Sequence, residues 1–271
     1  MTKLFIVATP IGNLEDISSR ALTTLKKVDL IAAEDTRVTG KLLSKFGIDT
    51  PQISFNAHNA AIRTPKLLLE MKTKDIALTT DAGSPGVSDP GRELIQAADK
   101  NGIEIITIPG PSSLTAIMSI SPFNTHKTYF HGFCPQTQSE IAKILSVCNT
   151  MESNCVFYES PKRLRRLLTN IASISENREI LIGRELTKFH EERFIGTVKS
   201  ALKYFIEPKG EFTILIKPEE PSKPVFSCKD FKKLVKEFRS DGLGVKEAAK
   251  EISKLTGKTN SQAYRIVLDN I

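Results

Sequence analysis

The sequence predicts an α/β protein, with two α/β domains followed by a small helical module. Short apolar runs rich in β-branched residues alternate with helical patterns over the first 120 residues, which is typical of a mostly parallel sheet covered on both faces. Later strands follow one another with less helix between them, and the last part of the chain is helical and basic. The predicted domains are 1–120, 121–220 with a mixed sheet, and 228–271.

The first domain is expected to contain four strands with helices between them. The strands are predicted at 3–9, 28–34, 75–81 and 102–109, and the helices near 18–27, 37–46, 61–72 and 90–101. Asp89 is expected to be the N-cap of the helix near 90–101 with Pro90 in its first turn, and Ser112 is expected to cap a further helix.

The second domain begins after a joint rich in proline and threonine, 119–128. Its strands are predicted in the segment YFHGF and at 154–160, 178–186, 191–197 and 210–218. The last three follow one another closely enough to pair antiparallel. The stretch 217–230 has three prolines and no periodicity, which is typical of a linker, and three short helices are expected after it, at 229–240, 244–255 and 259–270.

The charge and cysteine content narrow the class of protein. The formal net charge is +7, and eleven Lys/Arg against six Asp/Glu fall within 221–271, which is compatible either with a polyanionic partner or with solvated helix faces. No apolar run is long enough to cross a bilayer, and the chain does not start like a secretory signal. Four cysteines without CxxC spacing are expected to be reduced thiols of a cytoplasmic protein, so no metal site is predicted.

Four polar loops follow strands of the first domain, at 9–16, 34–43, 80–91 and 109–113. Ligands of open α/β sheets collect outside the carboxyl ends of the strands, so we expect these loops to converge on one site. The chain has no GxGxxG after its first strand and no GxxxxGK[ST], which disfavours dinucleotide and P-loop enzymes. The sequence contains neither the ligand spacing of a metal site nor the nucleophile elbow of a hydrolase, so it does not indicate hydrolase chemistry.

Several charged residues in these loops have more than one interpretation. Asp81 could accept hydrogen bonds from ligand hydroxyls or from an amine. Asp35 and Arg37 could serve a helix N-terminus, or Arg37 could clamp a phosphate. In the second domain, Glu159 stands at a strand end, and the four cations that follow it within the next seven residues are typical of a solvated helix face.

Seven motifs recur in the order and spacing of a known family. They are LFIVATPIGNLEDIS, IAAEDTR, DAGSPGVSDPG, IPGPSS, VFYESPKR, RELTKFHEE and GEF. Over residues 3–217 the chain resembles the ribosomal small-subunit RNA (cytidine-2′-O)-methyltransferases of the tetrapyrrole methylase superfamily, and its tail is similar to the small helical module that members carry. Three departures are Ser84 where many members have Thr, His131 where an acid is expected, and Ala57 where Glu is expected.

The resemblance implies a fold, a reaction and partners. The fold would be two α/β domains of tetrapyrrole methylase type, with S-adenosylmethionine in the cleft between them, in a homodimer. The reaction would be methyl transfer to the ribose 2′-hydroxyl of a cytidine in 16S ribosomal RNA, within the small ribosomal subunit. The implied cofactor contacts are Thr9, Pro10, Asp81, Ala82, Gly83, Ser112, Ser113, Phe157, Tyr158, Gly210, Glu211 and Phe212. The implied RNA contacts are Arg37, Asn59, Arg163, Arg184, Lys188 and His190.

The chemistry of this reaction needs placement and a proton acceptor. A sulfonium methyl is already activated, and in-line placement can contribute roughly 7–11 kcal/mol. A positioned base adds about 10²–10⁴-fold, and the candidates are Asp35 and Glu159, because cofactor binding already explains Asp81. The alternative for Asp35 is an ion pair that orients Arg37.

Two other functions stay open on the sequence alone. One is C-methylation of a tetrapyrrole such as a corrin precursor, which is also polyanionic. The other is a binding module that keeps the fold without chemistry. The helical tail favours RNA, and we expect its cations to face phosphates. They are Lys246, Lys250, Lys254, Lys258 and Arg265.

Overall fold

Five parallel strands form the first sheet of the computed structural model, which describes residues 2–219, 228–256 and 258–270. They are β1 (Lys3–Val7), β2 (Leu30–Ala33), β3 (Gln52–Ser54), β4 (Ile76–Thr79) and β5 (Glu104–Ile108). The strand order is β3-β2-β4-β1-β5, and every pairing is parallel. All four residues of the central β4 are buried, as expected for a strand covered on both faces.

Helices connect these strands and cover the sheet. They are α1 (Ser19–Lys27), α2 (Thr36–Lys45), α3 (Ala60–Glu70) and α4 (Arg92–Lys100). Apolar side chains pack on both sides of the sheet, one group around Leu25 and Ile31 and the other around Phe55 and Leu67. Each fully buried side chain of this size contributes about 1.5–3 kcal/mol of transfer free energy.

Three sequence predictions for this domain need correction. The sequence does not predict β3, because a three-residue strand with a polar first residue has no period-2 signal. The predicted strands also extend too far at their carboxyl ends, where residues such as Asp81 leave the ladder. Asp89 is not the N-cap of α4: the cap is Gly91, whose φ of 141° favours glycine, and α4 begins only at Arg92.

The second sheet is mixed, as predicted. Its strands are β6 (Thr128–Phe133), β7 (Asn154–Glu159), β8 (Glu179–Arg184), β9 (Glu192–Thr197) and β10 (Phe212–Ile216), in the order β6-β7-β10-β8-β9. β6 and β7 are parallel, and the remaining pairs are antiparallel, which confirms the antiparallel pairing expected for β8, β9 and β10.

Helices cover both faces of this second sheet. The helices are α5 (Ser113–Ser119), α6 (Gln138–Thr150), α7 (Pro161–Ser175) and α8 (Val198–Tyr204). One face packs on α6, α7 and α8 around Phe157, and the other packs on α5 around Ile117. Ser112 precedes α5 as predicted, but its side chain makes no capping hydrogen bond. Ile11, from the turn after β1, joins the cluster around Ile117 and so ties the two sheets together.

The chain divides into two units, Met1–Pro218 and Glu219–Ile271. The second contains α9 (Cys228–Ser240), α10 (Val245–Thr256) and α11 (Asn260–Leu268), close to the three helices predicted there. Val235, Ile252 and Val267 belong to its apolar core. The predicted linker lies largely outside the described residues. No helix in the described part of the chain is long and apolar enough to cross a membrane.

Candidate functional site

A cavity of about 520 Å³ opens between the carboxyl ends of the first sheet and the second sheet. The loops after β1, β2 and β4 supply Ile11, Glu34, Asp81, Ala82, Gly83 and Asp89 to its lining. The second sheet and its loops supply Tyr158, Glu159, Leu186, Glu211, Phe212 and Thr213. Loops from separate strands converge here because parallel strands end at the same edge of a sheet.

The turn after β1 braces the loop after β4. Thr9 and Gly83 form an isolated antiparallel bridge, in which the distance from Thr9 N to Gly83 O is 2.9 Å and that from Gly83 N to Thr9 O is 3.1 Å. The Thr9 hydroxyl donates to the backbone carbonyl of Thr80 at 2.9 Å. Thr9 is buried and lies outside the lining, so it holds Gly83 in place from behind.

Three carboxylates meet on the wall from the first sheet, those of Glu34, Asp81 and Asp89. Glu34 accepts hydrogen bonds from the Thr80 hydroxyl and from the Asp81 backbone N–H. Burial, followed by the charge of Glu34, raises the pKa of Asp81. The same two causes, in the same order, raise the pKa of Asp89 to about 7. This wall therefore attracts cations and hydrogen-bond donors, and it contains a carboxyl that changes charge near neutral pH.

The opposite wall combines aromatic surface with a buried ion pair. The Tyr158 ring packs edge-on against Phe133, which also lines the cavity, and burial raises the pKa of the Tyr158 hydroxyl. The Glu159 side chain is only 3% exposed. Its Oε1 accepts from Arg163 Nε and from the Ser160 backbone N–H, each at 2.7 Å.

The structure brings eight of the twelve residues implied for the cofactor into the lining of this cavity. They are Asp81, Ala82, Gly83, Ser112, Ser113, Tyr158, Glu211 and Phe212. The other four lie behind it. Thr9 braces the loop, Pro10 is buried, Phe157 belongs to the core of the second sheet, and Gly210 packs against the side chain of Glu185.

The two carboxylates expected as bases have different surroundings. Glu159 lines the cavity, whereas Asp35 does not. The Asp35 carboxylate accepts from the Arg37 backbone N–H at 2.8 Å and forms an ion pair with the Arg37 guanidinium at 2.5 Å. The hydrogen bond from that side chain lowers the pKa of Asp35 to about 2, so its carboxylate is a weak base. These contacts favour the ion-pair interpretation, and a catalytic role for Asp35 stays a prediction.

Most of the cations expected to contact RNA are paired with carboxylates. Arg184 pairs with Glu192 at 2.9 Å, and Lys188 pairs with Glu185 and Glu211, each at 3.0 Å. Asn59 does not present its amide freely: its oxygen accepts from the Asn56 backbone N–H at 2.9 Å, which orders the start of α3.

The remaining RNA candidates are a loop histidine and two arginines already described. His190 is exposed beside the ring of Phe189, which is 96% exposed. Arg37 and Arg163 belong to the pairs with Asp35 and Glu159. A role of these residues in RNA binding stays a prediction.

The sequence does not point to several of the lining residues. It shows Glu34 only as part of a strand end, and it suggests Asp89 as a helix cap. One feature of the sequence argues against Asp89 as the cap: Gly91, two residues later, can take a backbone conformation that delays the start of the helix. Ile11, Phe133 and Leu186 give no functional signal, since an apolar residue near a strand end is usually core.

The three cysteines whose side chains the structure describes, and the possible metal ligands, add no further site. Cys134, Cys148 and Cys155 are buried and free. Across the described ranges, no group of three or more His, Cys, Asp or Glu side chains is arranged to hold a metal ion.

The sequence matches one family model and many curated proteins. The model of the Tetrapyrrole (Corrin/Porphyrin) Methylases matches residues 3–202. A protein of Synechocystis sp. named ribosomal RNA small subunit methyltransferase I is 41% identical over 271 residues, 98% of this chain and 97% of that protein. A protein of the same name from Thermotoga maritima is 44% identical over 223 residues, 81% of this chain and 100% of that protein.

Solved structures share the fold at low sequence identity. Diphthine synthase matches with a TM-score of 0.66 and 12% identity, covering 80% of this chain and 90% of that chain. The methyltransferase CobJ matches with a TM-score of 0.61 and 14% identity, covering 80% and 95%. Uroporphyrin-III C-methyl transferase from Thermus thermophilus, solved in complex with S-adenyl homocysteine, matches with a TM-score of 0.56 and 15% identity, covering 79% and 96%.

Proposed function

We propose that this chain, which belongs to the family of tetrapyrrole (corrin/porphyrin) methylases, transfers a methyl group from S-adenosylmethionine to RNA. The acceptor is the ribose 2′-hydroxyl of a cytidine in 16S ribosomal RNA. The observation that carries this substrate is the near full-length similarity to proteins named ribosomal RNA small subunit methyltransferase I. The cavity between the two sheets is where the reaction would take place.

The lining of the cavity fits S-adenosylmethionine in its chemistry. The cofactor has an ammonium, a sulfonium and ribose hydroxyls, and the Glu34 and Asp81 carboxylates of the first wall suit these groups. Its adenine is flat and largely apolar, which suits Ile11, Leu186 and the aromatic surface of Tyr158. The cofactor has no phosphate, which is consistent with a chain that lacks phosphate-binding glycine loops.

The main task of the protein in this reaction is to place the acceptor hydroxyl in line with the methyl group. When bound, S-adenosylmethionine supplies a methyl group that its sulfonium already activates. The brace between Thr9 and Gly83 fixes the loop on one wall, and the pair of Glu159 with Arg163 fixes the end of β7 on the other. Rigid walls hold the acceptor hydroxyl in line with the methyl group, and such placement contributes roughly 7–11 kcal/mol.

Labelled methyl transfer tests this function directly. The full chain would be incubated with methyl-labelled S-adenosylmethionine and either naked 16S RNA or small ribosomal subunits, and the RNA digested to nucleosides. Label in 2′-O-methylcytidine is expected. Label in a base, or in an added corrin precursor but not in RNA, would contradict the proposal and favour the tetrapyrrole alternative. Light scattering of the same protein tests the proposed homodimer.

The C-terminal unit is proposed to strengthen RNA binding without taking part in the chemistry. All five cations expected to face phosphates are exposed, although Lys254 also pairs with Glu251 at 2.6 Å. The whole Thermotoga maritima relative aligns with only 81% of this chain, a length comparable to the Met1–Pro218 unit. A protein of that name therefore exists without a counterpart for part of this chain.

Ending the chain after Pro218 should weaken RNA binding and flatten its salt dependence. The slope of log affinity against log salt is expected to fall by about 0.7–0.9 for each phosphate that the shorter chain no longer neutralises. Cofactor affinity should stay within about twofold of that of the full chain, because the cavity lies within Met1–Pro218. Filter binding at several salt concentrations measures the slope, and calorimetry measures the cofactor. An unchanged salt slope would refute the role of the C-terminal unit.

A further inference from the structure

We propose that Asp89 is the proton acceptor for the substrate hydroxyl, and that Thr80 and Glu34 position it. This inference rests on the proposed function of the same cavity, and it assigns a catalytic role to a residue that the sequence suggests as a helix cap. Asp89 lines the cavity together with Glu34 and Asp81 on one side and Tyr158 and Glu159 on the other. A group in this lining is within reach of a bound cofactor and of the hydroxyl brought to it.

The backbone directs Asp89 toward the cavity and away from the helix. Ser88 has a φ of 66°, in the left-handed region that a serine seldom adopts. Gly91 takes the N-cap position of α4, so the Asp89 carboxylate has no helix N–H to accept from. On the second sheet, a Cβ at Gly132 would lie 2.6 Å from the Ser88 hydroxyl, so only glycine there lets the loop approach this closely. The loop around Asp89 therefore lies close against the second sheet.

One hydroxyl connects Asp89 to Glu34. The buried Thr80 hydroxyl donates to Glu34 Oε2, and its interaction with the Asp89 side chain lowers the pKa of that carboxyl. Glu34 also accepts from the Asp81 backbone N–H at 3.1 Å, so the Glu34 carboxylate is held at the start of the loop that carries Asp89. Thr80 and Glu34 therefore fix the surroundings of the Asp89 carboxyl.

The groups that face Asp89 oppose its negative charge. Glu34 follows β2 and Asp81 follows β4, and both are acidic, while Tyr158 of β7 is a neutral phenol at physiological pH. Burial and the charge of Glu34 raise the pKa of Asp89 to about 7. A base is most effective when its pKa lies near the working pH, because it is then both unprotonated and basic enough to take a proton.

The proposed step balances in atoms and charge. A lone pair of the ribose 2′-oxygen forms the new O–CH₃ bond while the S–CH₃ bond of the sulfonium breaks, and the electron pair of that bond stays on sulfur as a neutral thioether. The hydroxyl proton passes to the ionised Asp89 carboxylate. After product release, Asp89 returns the proton to water.

Neither of the two carboxylates that the sequence suggests as bases, Asp35 and Glu159, suits this task as well. Asp35 lies outside the lining and is committed to Arg37. Glu159 lines the cavity, but its Oε1 accepts from a guanidinium and from a backbone N–H, so this oxygen is already committed to Arg163 and Ser160. Asp89 differs from both, because the charged groups beside it in the lining are the acids Glu34 and Asp81.

The test compares Asp89→Asn with two other carboxylate-to-amide changes. Asp99→Asn is the matched control, since Asp99 is exposed on α4 and outside the lining. Asp35→Asn represents the competing assignment. Single-turnover methylation of 16S RNA would be measured at saturating cofactor from about pH 5.5 to about pH 8.5, with cofactor affinity measured separately by calorimetry.

For the wild type and Asp99→Asn, the rate should rise with pH and level off by about pH 7, because the ionised carboxylate is the active form and the positive charge of the bound cofactor lowers the pKa of about 7 that Asp89 has in the protein alone. For Asp89→Asn, the rate should be lower by about 10²–10⁴-fold and flat over this range, with cofactor affinity within about twofold of wild type. A wild-type pH profile in Asp89→Asn would overturn the inference. So would loss of the pH limb in Asp35→Asn instead, or a loss of rate in Asp89→Asn explained wholly by weaker cofactor binding.

A second readout needs neither RNA nor cofactor. The folded pKa of Asp89, about 7, lies above the ordinary value of 3.8, so the folded state holds the proton more tightly and stability is lost as pH rises between these values. Urea unfolding should show this loss in wild type, and Asp89→Asn should show less of it. An identical pH dependence of unfolding would also overturn the placement of the proton. If wild type itself fails to methylate RNA while this difference in unfolding is present, the proposed function fails and the proton site at Asp89 stands.

Discussion

Replacing Ala82 with tryptophan is expected to lower the affinity for S-adenosylmethionine by at least about a hundredfold, or about 2.7 kcal/mol. Ala82 lines the cavity from the loop after β4, and it is exposed to solvent in the free protein. An indole at this position would occupy part of a cavity of about 520 Å³ that the cofactor needs. The folded state should tolerate the change, because no buried neighbour has to move.

Calorimetric titration measures the affinity, and thermal unfolding measures the stability of the same variant. Ala61→Trp is the matched control, since Ala61 is an exposed alanine on α3 that does not line the cavity. The control should bind the cofactor as the wild type does, and both variants should unfold near the wild-type temperature. Wild-type affinity in Ala82→Trp would mean that the cofactor binds elsewhere on the protein.

Replacing Glu159 with alanine is expected to destabilise the Met1–Pro218 unit by about 2–4 kcal/mol. The Glu159 side chain is 3% exposed, and removing it leaves the Arg163 guanidinium and the Ser160 backbone N–H without their acceptor. Loss of one partner of a buried ion pair costs more than the pair itself contributes, because the remaining charge stays away from water. Arg163 is 34% exposed and regains some hydration, so the lower part of the range is expected.

A double-mutant cycle separates the ion pair from the space that the side chains fill. Glu159→Ala, Arg163→Ala and the double variant would be unfolded in urea, and Glu159→Gln serves as the variant that keeps an acceptor for Ser160. The double variant should be less destabilised than the sum of the two single variants, since it leaves no unpaired charge. Additive losses would show that the two side chains act independently.

The two residues replaced in these experiments can be recognised as candidate site residues from the sequence, because the signal lies in their neighbours along the chain. Ala82 lies three residues after the buried strand β4, and Glu159 ends β7, and an apolar run followed by small or polar residues is visible in the sequence. Because parallel strands end at one edge, the position of such loops at a common site also follows from the sequence. The paired strands β8, β9 and β10 are predictable for a similar reason, since short connections favour antiparallel neighbours.

Residues whose role depends on distant neighbours are harder to predict. Phe157 and Tyr158 are adjacent in the sequence, yet one belongs to the core of the second sheet and the other lines the cavity, because successive side chains of a strand point to opposite faces. The motif containing both does not show which of the two faces the cavity. The cation Arg184 looks available for RNA in the sequence, but the β8–β9 hairpin places Glu192 opposite it.

The sequence by itself determined the α/β class, the order along the chain of the strands other than β3, and the loops of the first sheet from which the site is built. These depend on hydrophobic periodicity and turn residues, which are local properties. Only the tertiary structure decided the role of Asp89. Its sequence context favours a helix cap, whereas Gly91, Ser88 and the approach of Gly132 turn it into the cavity beside Glu34. A carboxyl group's basicity depends on burial and on charges brought close by folding, and neither is present in the order of residues alone.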